Sequence, residues 1–197
     1  MINFSSGLIF LLGALAALGA AAIDMYLPSL PSIESELGGV GGSAQFTLSS
    51  FFIGLGLGQL FYGPISDSLG RRKVLVVGLL IYCLGSLFCF FAGTMMELVA
   101  ARFFQALGAA AGGVIARAMV RDVFTGKKAA QAQSFINLAF SFTPLMAPLF
   151  GGYLLIFFGW RSIFLALLLF GIICLLILIL KIPETLPKEK RNPLRLV

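Results

Sequence analysis

The 197-residue sequence contains no histidine. Without imidazole there is no His general base, no His metal ligand and no Ser-His-Asp triad. Cysteine is almost as scarce. Cys83, Cys89 and Cys174 each sit inside an apolar run, without the spacing of a zinc site, and read as small buried hydrophobes. No nucleophile–base pair or metal constellation emerges, so neither enzymatic activity nor a metal or cofactor is expected. Charge is also in short supply: Asp, Glu, Lys and Arg make up 11% of residues, against about 25% in a soluble domain. Apolar residues take their place, at 59% hydrophobic with a mean hydropathy of +1.03. A soluble fold of this length buries only about 70% of its surface and could not hide so much. A membrane helix needs about 20 apolar residues. The expected class is an all-α polytopic membrane protein in contact with lipid.

Runs with few or no charges predict six transmembrane helices, at residues 8–27, 47–65, 74–92, 98–120, 132–158 and 162–180. The first lacks a basic flank and is too long for a cleaved leader, so it is expected to remain as a span. The fifth contains Pro144 and Pro148 and is expected to tilt or bend. Basic residues sort sharply between the loops. Arg71, Arg72, Lys73, Arg121, Lys127, Lys128, Lys181, Lys188, Lys190, Arg191 and Arg195 fall on one side, and only Arg161 on the other. The positive-inside rule puts both chain ends in the cytoplasm. It also accounts for the net charge of +6 without a nucleic-acid partner. Residues 1–182 form the predicted bundle, and 183–197 begin a cytoplasmic connection.

Charges within spans are expensive and by default functional. Asp24 ends an uncharged run and is followed by Met25-Tyr26-Leu27-Pro28. The first span either stops at Pro28, which leaves Asp24 near the outer surface, or bends at Pro28 and Pro31 and continues toward Glu34, which places it well inside. The apolar character of the segment to Ile33 favours the bend. Arg102, in the fourth span, lies about 8 Å inward from Glu97 at 1.5 Å per residue. On the bent reading it matches Asp24 in depth, and the two are expected to pair. Arg117, one turn before Arg121, is expected to snorkel to the cytoplasmic interface. Tyr26, Gln59, Gln105 and Asn137 are the uncharged polar groups expected to line a cavity. With 20 phenylalanines, such a cavity suits lipophilic organic cations or neutral amphiphiles better than sugars.

The loop after span two reads Gly63-Pro64-Ile65-Ser66-Asp67-Ser68-Leu69-Gly70-Arg71-Arg72-Lys73. It resembles the major facilitator signature G-x-x-x-D-x-x-G-R-R/K-x between helices two and three. Gly63 and Gly70 suit tight turns and close helix approach, and Asp67 can pair with Arg71. The resemblance makes this loop the cytoplasmic gating motif, with Arg72 in it and Asp122 as the coupled acid at the end of helix four. Leu98-x-x-x-Arg102-x-x-Gln105-x-x-Gly108 is similar to the helix-four motif of proton-coupled members, with Ala106 where glycine is usual. Pro148-Leu149-Phe150-Gly151-Gly152 resembles the end of the helix-five antiporter motif, with Ala147 in place of its first glycine. Asp24 to Pro31 and Glu184-Thr185-Leu186-Pro187 are similar to the bicyclomycin/chloramphenicol-resistance (Bcr/CflA) group of drug exporters.

The resemblance covers essentially the whole chain. It implies drug:proton antiport across a bacterial inner membrane by alternating access, powered by the proton gradient. Asp24 would be the proton- and drug-coupling acid, modulated by Arg102. Such multidrug efflux transporters have about twelve helices in two halves, each a 3+3 inverted repeat. This chain supplies one half, the N-terminal one. The C-terminal six-helix half is the implied partner, alongside small lipophilic drugs. A metabolite carrier for amino acids or sugars on the same scaffold, and a fragment that transports nothing, are the alternatives.

Overall fold

The computed structural model describes residues 6–39, 41–187, 189 and 191, and the described residues contain helices and no strand. In chain order these are α1 (Ser6–Asp24), a 3-10 turn (Leu27–Ser29), α2 (Leu30–Glu36), α3 (Gln45–Leu69), α4 (Arg71–Phe91), α5 (Met95–Val123), α6 (Gly126–Phe158) and α7 (Arg161–Lys181). Six segments are long and apolar enough to cross a membrane, the first of them running from Gly7 to Glu36 through α1, the turn and α2. The six predicted spans are therefore present in order. Of the two possibilities for the first span, the structure adopts the bend. α6 continues as helix through Pro144 and Pro148.

α5 is the central helix, packed against α1, α3 and α4; α1 also packs on α6, and α4 on α7. Exchange of the first three spans with the last three maps α3–α5 onto α6–α1, and α3–α4 onto α6–α7. The α4–α7 and α1–α5 contacts map onto themselves. Apart from the α4–α5 seam, which is far more extensive than its α1–α7 counterpart, this is the 3+3 repeat expressed in packing. Helices in lipid gain little from apolar burial and associate through close backbone approach at small residues. Gly108 shows how tight that is: a Cβ there would meet the Gly78 carbonyl oxygen at 2.6 Å and the Tyr82 backbone as well.

Two polar ties close the end of the bundle where α2 and α4 finish and α7 begins. Glu36 at the end of α2 accepts a hydrogen bond from Trp160 Nε1 at 2.7 Å and pairs with Arg161. Arg161 also donates to the Ala92 carbonyl at 3.0 Å. The single basic residue on the predicted outer side thus fastens the ends of α2, α4 and α7 together. Burial is uneven around the bundle. In their most apolar stretches, 61% of α5 but only 22% of α3 and 11% of α6 is buried. The outer faces of α3 and α6 are left for lipid or another protein.

Gly108→Val should force α4 and α5 apart and destabilise the bundle by about 1–3 kcal/mol, the usual cost of overpacking. Gly56, whose Cβ position is open, provides the control. Thermal unfolding in detergent should show a lowered midpoint for Gly108→Val and little change for Gly56→Val. Equal midpoints would contradict the close α4–α5 seam.

Candidate functional site: a broken helix, a buried guanidinium and an open cavity

Pro28 has no N–H to give, and its ring would clash with the Asp24 carbonyl in a continuous helix. The chain responds before reaching it. Tyr26 N–H bonds to the Ile23 carbonyl at 3.1 Å, one residue short of the α-helical partner. The carbonyl so released belongs to Ala22, and Arg102 Nη1 donates to it at 3.1 Å. The break is thus closed by a side chain from α5.

Arg102 is fully buried. Nη1 also donates to Gln105 Oε1 at 2.7 Å. Gln105 Nε2 then donates to Ser86 Oγ at 2.9 Å, and that hydroxyl to the Tyr82 carbonyl at 2.8 Å. Nε and Nη2 find no hydrogen-bond acceptor. They lie among ring faces instead, with the guanidinium carbon 4.1 Å from the Phe51 centroid and 4.4 Å from that of Tyr26. Cation–π attraction of this kind is worth about 2 kcal/mol when desolvated. Tyr26 is held in turn by a 2.6 Å bond between its hydroxyl and Thr47 Oγ1.

The expected Asp24–Arg102 ion pair is not formed. Among the described residues neither takes part in a salt bridge. The two are alike in depth but face different ways. Arg102 points into the bundle, whereas Asp24, the last residue of α1, faces a cavity of about 390 Å³. Gln59, Phe52, Phe140, Pro144 and Arg117 also line it. Tyr26 and Gln105, expected on a cavity wall, are instead fully buried in the Arg102 network. Asn137 is exposed on α6, where it accepts from Gln133, and does not line the cavity. Arg117 is the residue that position alone misplaced: it turns back along α5 into the cavity rather than out to the cytoplasmic interface.

The turn between α3 and α4 rests on Gly70, at φ +102°, a conformation that favours glycine. Arg71 is buried there and gathers three partners. It pairs with Asp67, its Nε meets Asp122 Oδ2 at 2.9 Å, and its Nη1 donates to Ser66 Oγ at 2.7 Å. Arg72 donates to the Ile179 carbonyl at 2.7 Å. Glu184, past the expected bundle boundary at 182, accepts from Arg71 N–H at 2.9 Å and supplies the negative charge that a helix N-terminus favours. Gly63 departs from its expected role. It lies within α3, and none of the described residues approaches its Cβ position. In the helix-five motif, Gly151 lies hard against the Met25 carbonyl at the break, while Gly152 faces open space. Pro148 lies within α6, one turn earlier.

Arg102→Lys should loosen the break, since an ammonium offers no planar face to the rings and cannot reproduce the fork of contacts. Hydrogen exchange of the backbone amides at 22–30 should speed up about tenfold or more, as expected for loss of a charged hydrogen bond, with helix content unchanged. Unaltered exchange there would contradict the stapling of Ala22 by Arg102.

The family model of the Major Facilitator Superfamily matches residues 9–195. An uncharacterized MFS-type transporter of Bacillus subtilis, YdgK, is 44% identical over 188 residues, covering 94% of this chain and 47% of that protein. The bicyclomycin resistance protein homolog of Haemophilus influenzae is 38% identical over 188 residues, covering 95% and 47%. Among solved structures, the proton:xylose symporter XylE superposes with a TM-score of 0.76 at 17% identity, covering 95% of this chain and 49% of the symporter. The chain thus spans about half the length of the curated relatives it matches.

Proposed function

From the premise that this chain belongs to the major facilitator superfamily, we propose that it is the N-terminal half of a proton-coupled exporter of lipophilic drugs. The observation that carries the reading is Asp24. It is the one carboxylate lining the cavity, it sits where the first span breaks, and no cation pairs with it among the described residues. A carboxylate in that setting is free to exchange a proton and to meet a substrate. The largely apolar wall, in which Phe52 and Phe140 stand among alanines and aliphatic residues, supplies apolar contact with little polar selectivity. A relative named for bicyclomycin resistance supports a drug as cargo.

In this mechanism the C-terminal six-helix half covers the exposed faces of α3 and α6 and completes the cavity. The halves rock against one another, so that the cavity opens alternately to either side of a bacterial inner membrane, with both ends of this chain in the cytoplasm. Drug enters while Asp24 is charged. Proton arrival from outside neutralises Asp24 and releases the drug. The Arg71 cluster, which joins α3, α4, α5 and the segment after α7, acts as the latch on the cytoplasmic side.

Two measurements follow. In vesicles carrying the complete transporter, Asp24→Asn should reduce drug movement driven by a pH gradient to background; persistent pH-driven transport would remove Asp24 from the coupling role. Arg71→Ala should slow turnover and leave the relative preference among drugs unchanged. An altered preference at normal turnover would contradict the latch.

A further inference from the structure

Arg117 has no part in the mechanism just described, and its geometry is not that of an interfacial residue. It stands six residues before Val123, the last residue of α5, or about 9 Å from the helix end at 1.5 Å per residue. Helical side chains lean toward the N-terminus of their own helix, which for α5 means away from the cytoplasm. The hydrogen bond Arg117 makes runs that way: Nη1 reaches the Gly113 carbonyl, one turn back, at a long 3.4 Å. The guanidinium lies 6.0 Å from the Phe140 centroid across the cavity. No ion pair engages it among the described residues. The acid nearest in sequence, Asp122, is taken by Arg71.

Asp24 is too far away to neutralise Arg117. Arg102 bonds to the Ala22 carbonyl, so the break in the first span lies level with Arg102. Arg117 is fifteen residues further along α5, about 22 Å of helix rise. The cavity is therefore dipolar, with an acid at its deep end, an arginine at its cytoplasmic end, and Phe52, Leu55 and Phe140 among the residues between them. An arginine held against an apolar wall with unused donors is a ready partner for an oxyanion, which it can meet with two parallel hydrogen bonds.

We propose that Arg117 is a substrate-binding residue, and that the favoured cargo is an amphiphile bearing an anionic group, such as a carboxylate or sulfonate, on an apolar body. The anionic end sits on Arg117 and the apolar body extends along the phenylalanines toward Asp24. This inference rests on the cavity being the drug site and revises the cargo expected from composition alone, which favoured cations and neutral amphiphiles.

The test uses two xanthene dyes of opposite charge, fluorescein and rhodamine 6G. Binding to the purified complete transporter in non-ionic detergent is read by fluorescence anisotropy, with empty micelles as the blank. Arg117→Gln should weaken fluorescein binding about tenfold or more, as expected for loss of a charged hydrogen bond, and leave rhodamine 6G within about twofold or tighter. Arg117→Lys should retain most of the fluorescein affinity. If the unaltered transporter binds either dye and Arg117→Gln leaves fluorescein unchanged, Arg117 is not a substrate contact, while the cavity reading stands. Equal losses of both dyes in the Gln and Lys variants would assign Arg117 a packing role and also overturn the proposal. If the unaltered transporter binds neither dye above the micelle blank, the cavity reading fails and this inference falls with it.

Discussion

A backbone carbonyl left without a donor inside an apolar bundle costs several kcal/mol. The first span creates such a carbonyl at Ala22, and Arg102 satisfies it. Much of the interior is arranged around that one bond. A buried guanidinium is costly in its own right, so it is supported by Gln105 and through it Ser86, and flanked by the rings of Phe51 and Tyr26. Gly151 lets α6 close over the same break. Because the helix ends at Asp24 while the guanidinium is spent on Ala22, the carboxylate is left facing the cavity with no cation among the described residues to hold it. The bend therefore accounts both for the buried charge and for the free acid.

Above and below this level the bundle is tied differently. One end is fastened by Glu36 to Trp160 and Arg161. The opposite end is fastened by Arg71, with Asp67, Asp122 and Glu184 around its side chain and backbone. Between these ties, small-residue seams bring α3, α4 and α5 into backbone contact. The thinly buried faces belong to α3 and α6, which the 3+3 exchange relates to one another. A second half that covered both would meet related surfaces.

The six spans, their order and the bend were legible because hydropathy, charge placement and prolines act along the chain. So was the Asp67–Arg71 pair, which stands in one spaced motif, and the family resemblance pointed to Asp122; the contacts of Arg71 with Ser66 and Glu184 were not foreseen. What required coordinates was direction around a helix axis. Asp24 and Arg102 match in depth, which spacing reveals, but they point to different faces, which it does not. Arg117 looked like a snorkelling residue from its distance to the helix end, yet the lean of its side chain carries it the other way. Tyr26 and Gln105 are polar and central, and only packing shows that they serve Arg102 rather than line the cavity. Ser86 and Thr47 were missed because single hydroxyls in apolar runs carry no pattern. Gly63 illustrates the converse, a motif position that no described residue approaches.

The central claim is that Asp24 is the group through which proton and drug communicate. Infrared difference spectroscopy of the complete transporter across a pH series, with Asp24→Asn as the reference, isolates the stretching band of that single carboxyl. The mechanism predicts a band that appears on acidification and whose midpoint pH moves when drug is added. A band that titrates identically with and without drug, or that is already absent from the unaltered protein, would contradict it.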